Sequence, residues 1–449
     1  MSDTKKIDMT KGPILKLIIM FALPICAGNI LQQLYGTVDT FIVGKFCSSI
    51  SLAAVGTGTL PSELLLCIFI GIGSGVSILV SQCCGSGDTN RLNLIVSTAT
   101  SFLYMAAVPV AILGFFLAPL LLKLLQVPTE AFDLCLSYVR IIFLGVLGNM
   151  GYNFNAGILR GMGDSRSSLI FLVISCIINI VLDFLFVVVF KLEVAGAALA
   201  TVIAIYSSWI FSIVYIKHHY PSLNFTWLPK FVDKRALNDI IKTGLPLGLN
   251  LSIYSVGHIA MQTLINMQGP IFIAACTLSS RIIELANIAI ASLSSAASTF
   301  SGQNYGAKKY DRLKNGAVKL PLLSAGITFV ASMLTLILCK PILGLFSNDT
   351  AVINAAAHNL FIMLPFCFTY AIFDTILFFA NGLGKIRYST IVNLLALWAV
   401  RIPSGYLIAH FIGGIYCVAC YPISYIFGMI CMLFFFLSKG WKDIILAKS

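Results

Sequence analysis

With 449 residues, 59% hydrophobic and only 10% charged, at a mean hydropathy of +0.96, this chain lacks the charged side chains to cover a water-soluble surface. Soluble domains carry about 25% charged residues, so a soluble enzyme or binding module is excluded and a membrane protein is indicated. The net charge of +12 points less to nucleic acid than to the Lys and Arg that membrane proteins keep in cytoplasmic loops.

The N-terminal MSDTKKIDMTKGPILK is polar and mixed in charge, unlike a cleavable signal peptide, and the apolar run from about Ile14 is read as an uncleaved first span. Crossing a bilayer takes about 20 apolar residues. Twelve candidate spans are centred near Cys26, Ile68, Ala106, Phe143, Ile180, Ile205, Ile253, Leu285, Val330, Pro365, Leu394 and Cys420. In lipid each must satisfy its own backbone, which predicts helices; barrel strands would alternate in segments of about ten residues.

With both termini inside, twenty of the 29 Lys and Arg fall in inner segments, whereas only Lys45, Lys123, Lys191 and Lys340 fall outside. Arg140, Lys242, Arg281, Lys319 and Arg401 lie within spans or at their edges. This bias favours cytoplasmic termini and an even number of spans. The thirteen cysteines are scattered through apolar runs without CxxC or CxxH spacing, so neither a disulfide framework nor a metal site is read from them.

The chain also repeats itself. SQCCGSGDTNRL (81–92) matches GQNYGAKKYDRL (302–313), with Gln82, Gly85, Arg91 and Leu92 recurring as Gln303, Gly306, Arg312 and Leu313. The same offset of 221 carries Gly161, Gly163 and Arg166 onto Gly382, Gly384 and Arg387, and an offset of 222 carries Leu23 and Pro24 onto Leu245 and Pro246. The expected architecture is an all-α polytopic membrane protein of twelve transmembrane helices in two six-helix lobes. The N-lobe is 1–217, a basic cytoplasmic linker 218–235, and the C-lobe 236–449. Six is even, so the repeats are parallel, an arrangement that places a ligand site near the midplane and permits rocking of one lobe against the other.

Five of the 17 acidic residues fall inside apolar spans: Asp39, Glu63, Asp183, Glu284 and Asp374. A charge at the bilayer centre costs about 2.5–3.5 kcal/mol on insertion scales, so each should face a cavity or a partner. Gln32, Tyr35 and Asp39 are spaced to share one helical face, as are Asn179 and Asp183, and neither run contains a Lys or Arg. Two such carboxylates facing each other would form a proton- or sodium-binding pair; structural hydrogen bonding is the competing reading. Asp374 corresponds to Asn153 across the repeat, and Asp39 to Ala260 or Met261, so the acids are not symmetric. That asymmetry favours function over architecture.

Arg281 and Glu284, three residues apart, can form a mutually neutralising structural ion pair. Glu63, just after Pro61, is expected at the interface, and His258 reads first as a hydrogen-bonded structural histidine. Asn153 and Asn155, among aromatic and Met-rich spans, are candidate linings of a cavity for amphipathic ligands. Walker A, HExxH and GxSxG sequences are missing, so neither ATP-driven transport nor these hydrolytic chemistries are expected of this chain.

Together these motifs resemble the multidrug and toxic compound extrusion (MATE) transporters. The matching residues are Gln32, Tyr35 and Asp39, SQCCGSGD, RGMGD, Asn179 with Asp183, GAALAT (196–201) and GQNYGA, which span the whole chain. The resemblance implies export of cationic or amphipathic small molecules in exchange for inward Na⁺ or H⁺, with no cofactor and no enzymatic activity. It implies a monomer among membrane lipids, in the plasma membrane of a bacterium. In the DinF-like branch the cation-coupling site falls on Asp39, Asn179, Asp183 and Thr201 here. In the NorM-like branch a tenth-span acid matches Asp374, but its seventh-span acid falls on Tyr254, which departs from that pattern. The expectation is therefore an N-lobe coupling site, with Gln32, Tyr35, Asn153, Asn155, Tyr254 and Asp374 lining the substrate path. The alternative from the same superfamily is a flippase for a lipid-linked sugar, which would want a large cationic cavity.

Overall fold

A computed structural model describes residues 6–125, 127–223, 225–226, 228–229, 232–438 and 441–442, with backbone alone at 49, 52–53 and 59–65. Glu63 falls in that last stretch, so its side chain lies outside the described residues. Among the described residues the regular structure is entirely helical.

The first half runs α1 (Ile14–Phe46), α2 (Ser49–Ser86), α3 (Thr89–Leu124), α4 (Thr129–Leu144), α5 (Val146–Gly161), α6 (Ser165–Asp183) and α7 (Glu193–His219). Helix α6 continues as a π-helical segment, Phe184–Val189. The second half runs α8 (Lys234–Asn266), α9 (Pro270–Gly306), α10 (Tyr310–Ile337), α11 (Cys339–Gly344), α12 (Thr350–Met363), α13 (Cys367–Gly382), α14 (Ile386–Leu394), α15 (Ile402–Phe411) and α16 (Cys420–Phe435). A π-helical segment, Leu395–Arg401, joins α14 to α15.

Ten of these helical stretches are long and apolar enough to cross a bilayer, and α4 with α5 makes an eleventh span bent by 43°. Helix α8 is as long as α1, at 33 residues, and occupies the place of the twelfth. Its apolar run is diluted by Asn250, Gln262 and Asn266. Large apolar side chains such as Phe116, Ile337 and Leu345 are more than 70% exposed, as lipid-facing residues should be and as a soluble surface would not tolerate.

The corners are made by capping. Gly87 ends α2 in the left-handed conformation, and Asp88 then caps α3 by accepting from the Arg91 amide. Gly163 (φ +93°) turns the chain after α5, and Asp164 caps α6 through the Ser167 amide. These are the SQCCGSGD and RGMGD motifs, so their Gly-Asp pairs are helix-turn-helix punctuation.

The chain forms two compact units, one of 1–7 with 27–249 and the other of 8–26 with 250–449. In the first, α2 packs on α4 and α5, and α7 on α4, α5 and α6, around a core that includes Ile95, Phe143, Met150 and Phe154. Leu223 and Phe225, between α7 and α8, are buried in that core. In the second, α13 packs on α9, α10 and α16, and α12 on α9, with Phe272, Leu360 and Leu364 in a core cluster. The units and the repeat halves (1–217, 236–449) part company at two helices: the first turns of α1 belong to the second unit, and the first half of α8 to the first.

Candidate functional site

Helices α1, α6 and α7 bring four polar side chains into the apolar interior of the first unit. Asn179 and Asp183 are fully buried, Thr201 is 7% exposed and Asp39 is 8% exposed. Asp183 lies within repulsive reach of Asp39 and beside Asn179. Tyr35 is next to Thr201 and senses both carboxylates. Asp39, Asn179, Asp183, Thr201 and Tyr35 therefore form one cluster.

The polar atoms at its centre are orphaned. Asp39 Oδ1, both carboxylate oxygens of Asp183, both amide atoms of Asn179 and Thr201 Oγ1 are buried without a hydrogen bond of normal geometry among the described residues, although Asn179 approaches Asp183 and Tyr35 approaches Thr201 closely enough for a long, poorly aligned one. Buried polar groups are hydrogen-bonded in the large majority of cases, and an exception asks for a reason. Five oxygens from four side chains, two of them carboxylates, are a donor set that suits a proton or a hard monovalent cation. A polyvalent metal centre would need more: no group of three or more His, Cys, Asp or Glu that could hold a metal occurs among the described residues.

Beside the cluster is a cavity of about 140 Å³ lined by Gln32, Tyr35, Asn149, Asn153, Cys176 and Ser208, among others. It shares Tyr35 with the acidic cluster, so the face Gln32–Tyr35–Asp39 runs from an exposed amide to a buried carboxylate. Asn153 reaches this wall and donates Nδ2 to Asn149 Oδ1 at 2.9 Å. Asn155 does not: it is 3% exposed and donates to Ser212 Oγ at 2.8 Å, which makes it a packing residue between α5 and α7.

The second unit holds a larger cavity, about 540 Å³. Tyr254 is on its wall, as are Arg281 and Glu284, whose side chains pair at 3.3 Å while remaining about half exposed. Asp374 is off that wall, next to Ser294 and within reach of Tyr370. The acids and polar residues singled out in the sequence thus divide into a buried group in one unit and a looser set around a cavity in the other.

One residue at this second cavity was visible in the sequence only as a basic residue inside a span. Arg401 is 3% exposed. Its Nε donates to Ser424 Oγ at 2.9 Å and its Nη1 to Tyr254 Oη at 3.0 Å. The rings of Tyr254, Tyr421 and Tyr425 surround the guanidinium at 5.7, 4.9 and 5.4 Å. The rule that an ionisable side chain within a span marks function applies to this cation as much as to the acids.

Comparison with known proteins agrees with the architecture. The MatE family model matches residues 24–185 and again 246–407. The probable multidrug resistance protein YpnP of Bacillus subtilis (strain 168) is 26% identical over 414 residues, covering 91% of this chain and 92% of the relative. YoeA of the same strain, also a probable multidrug resistance protein, is 28% identical over 87% of this chain and 86% of its own. A solved MATE in the straight conformation superposes with a TM-score of 0.90 at 21% identity over the full length of both chains. The outward-facing structure of a multidrug resistance MATE family transporter gives 0.89 at 20%, again over both full lengths. With a family model matched twice, over most of each half, this polytopic all-helical membrane protein belongs to the MatE family.

Proposed function

We propose that the protein is a secondary antiporter of the plasma membrane, exporting cationic and amphipathic compounds in exchange for inward H⁺ or Na⁺. One observation carries this reading: the carboxylates of Asp39 and Asp183 are buried together, with oxygens that lack a well-formed hydrogen bond and with no ion pair to a basic residue among the described residues. The similarity to YpnP and YoeA, probable multidrug resistance proteins, supports drugs as the cargo.

Two like charges in a low-dielectric interior repel, so the cluster is far more favourable once a cation has entered. A proton or Na⁺ among Asp39, Asn179, Asp183 and Thr201 would lower the cost of keeping α1 against α6 and α7. Release would raise it, biasing the protein toward a lobe arrangement that hydrates the acids. Alternating access then follows from a two-state equilibrium that the ion shifts by its differential affinity. The membrane potential adds about 2.3 kcal/mol per charge per 100 mV. Gln32, Tyr35 and Asn153 line the neighbouring cavity and would receive cargo when the ion leaves. In the second unit, Tyr254 would contact cargo from the wall of its own cavity; Asp374, off that wall, would act on it only through Tyr370.

The test is ethidium efflux with Na⁺ and H⁺ gradients imposed separately, on wild type, Asp39→Asn and Asp183→Asn. Efflux driven by one gradient and lost in both variants is the expected outcome. Undiminished gradient-driven efflux in both variants would remove the cluster from coupling.

A further inference from the structure

The cavity of the second unit is polarised by a cation, Arg401, that has no counter-ion among the described residues. Arg401 ends the π-helical segment Leu395–Arg401 and is buried beside Ser424, His258 and the rings of Tyr254, Tyr421 and Tyr425. Two of its nitrogens are used, Nε on Ser424 and Nη1 on Tyr254, while Nη2 makes no hydrogen bond among the described residues. None of the ion pairs among the described residues involves Arg401. The other charges of the wall, Arg281 and Glu284, cancel each other at 3.3 Å. His258 packs edge-on against Tyr254 at 4.9 Å and is within electrostatic reach of Arg401, adding no negative charge. Asp374 stands behind Tyr370 and off the wall.

The tyrosine cage compensates part of this charge. A cation over an aromatic face is attracted by the ring's quadrupole, and the rings also shape the space around the guanidinium. Arg401 and these three rings line a cavity of about 540 Å³, a size typical of small-molecule sites. A planar guanidinium in a desolvated aromatic pocket is matched best by a carboxylate, which can accept two parallel N–H donors.

We propose that this cavity binds amphipathic molecules through a carboxylate: Arg401 takes the acid group, and Tyr254, Tyr421 and Tyr425 take the aromatic or apolar body beside it. The protein's ligands then include zwitterions and organic acids as well as cations. This deepens the export reading by naming a ligand class, and rests on it for the direction of movement but not for binding.

The experiment uses the full chain in phosphatidylcholine nanodiscs with no ion gradient, titrated with dansyl-glycine and with dansyl-glycinamide. The two probes share an aromatic body and differ only in the carboxylate. Wild type should bind the acid about tenfold more tightly than the amide, as expected for one charge-assisted bidentate contact. Arg401→Gln should bring the two within about twofold, and Arg401→Lys, which keeps the charge but loses the fork, should fall between. Asn287→Trp, which fills the cavity from a different wall residue, should abolish acid binding even if Arg401→Gln does not fold. Equal affinities in wild type, or a preference untouched by both Arg401→Gln and Asn287→Trp, would overturn the proposal. The two readings separate cleanly. Acid preference without gradient-driven efflux would sink the export reading alone, and efflux without acid preference would sink this one alone.

Discussion

Asp183 and Arg401 are each buried charges without a countercharge, and each sits where an α-helix meets a π-helical segment. A π turn widens the helix by one residue, and such turns recur at functional sites. Their neighbours differ. Asp183 faces another acid, Asp39, whereas Arg401 is wrapped by tyrosines. The acid pair should therefore be a net cost to the protein when no cation is bound. Replacing one of two buried like charges by a neutral group of the same shape removes their repulsion and one desolvation cost. Asp183→Asn should raise the thermal midpoint in ion-poor buffer by several degrees. Wild type should gain stability as the coupling ion is titrated in, by about 2.7 kcal/mol at a hundredfold excess over Kd, and Asp183→Asn should lose that gain. Thermal unfolding in detergent at graded Na⁺ and pH reads both effects. Identical ion responses in the two proteins would mean that the ion binds elsewhere.

At the scale of elements, the tightest packing in the first unit is one that periodicity does not announce. Gly71 and Gly75 of α2 face Gly244 and Gly248 of α8, and a Cβ on Gly71 would collide with the Gly248 backbone. A Cβ on Gly75 would come within 2.5 Å of the Gly244 Cα. Both pairs are spaced four apart, the small-residue pattern that lets helix backbones touch in a membrane. Gly71→Leu should therefore cost about 3 kcal/mol or more, beyond ordinary overpacking. Gly326→Ala in α10, where an added Cβ meets nothing within 4 Å, should be neutral or stabilising by up to about 1 kcal/mol. Folded yield and thermal midpoint of the two variants give the comparison, and equal behaviour would mean the crossing can relax.

The segment before α1 is an element in its own right, held by side chains from the turn between α9 and α10. Met9 N donates to Gln303 Oε1, Lys309 Nζ to the Thr10 carbonyl and Arg312 Nη1 to the Gly12 carbonyl. Asp8 folds it locally by accepting from the Thr10 amide and hydroxyl and pairing with Lys11 at 3.5 Å. Partial burial pushes the Asp8 carboxyl up, but the Thr10 hydrogen bonds and Lys11 outweigh it, so it lies below its ordinary 3.8. A depressed carboxyl contributes fully above its unfolded value and loses that contribution as pH falls through the folded one. Amide exchange at residues 9–12, corrected for intrinsic rate, should therefore quicken as pH drops below about 3.8. Asp8→Asn should flatten that dependence; an unchanged profile would assign the ordering to the cross-segment bonds alone.

For the whole molecule, the internal repeat holds down to single contacts. Gly161 packs where a Cβ would strike the Ser77 carbonyl, and Gly382, 221 residues on, packs in the same way on Ser298. Gly163 and Gly384 both have positive φ, as do Gly87 and Lys308 at the same offset. The repeat was legible because close approach and left-handed corners admit few residue types. The spans were legible because lipid imposes continuous apolar runs, and the acids because a charge stands out in such a run. Arg401 was legible as a charge but not as a site, since its cage comes from Tyr254 in α8 and from Tyr421 and Tyr425 in α16. Asn155 misled because an Asn within a span satisfies a neighbouring hydroxyl as readily as it lines a cavity.

Orientation is the remaining prediction for the whole chain, and it rests on charge alone. Twenty basic residues fall on one side of the assigned spans and four on the other, and Lys and Arg in short loops are retained in the cytoplasm. Each half has six spans, so both halves start and finish on that basic side. Lys314 and Lys385 should face the cytoplasm, and Lys123 and Lys340 the exterior; all four are exposed. Cysteines placed there one at a time should sort accordingly against a membrane-impermeant maleimide. Positions 123 and 340 should label in intact cells, and 314 and 385 only after permeabilisation, over the background of thirteen native free cysteines. Labelling of 314 and 385 in intact cells would invert the molecule. The loops now assigned to the cytoplasm would then face the exterior, and the basic residues would no longer account for the orientation.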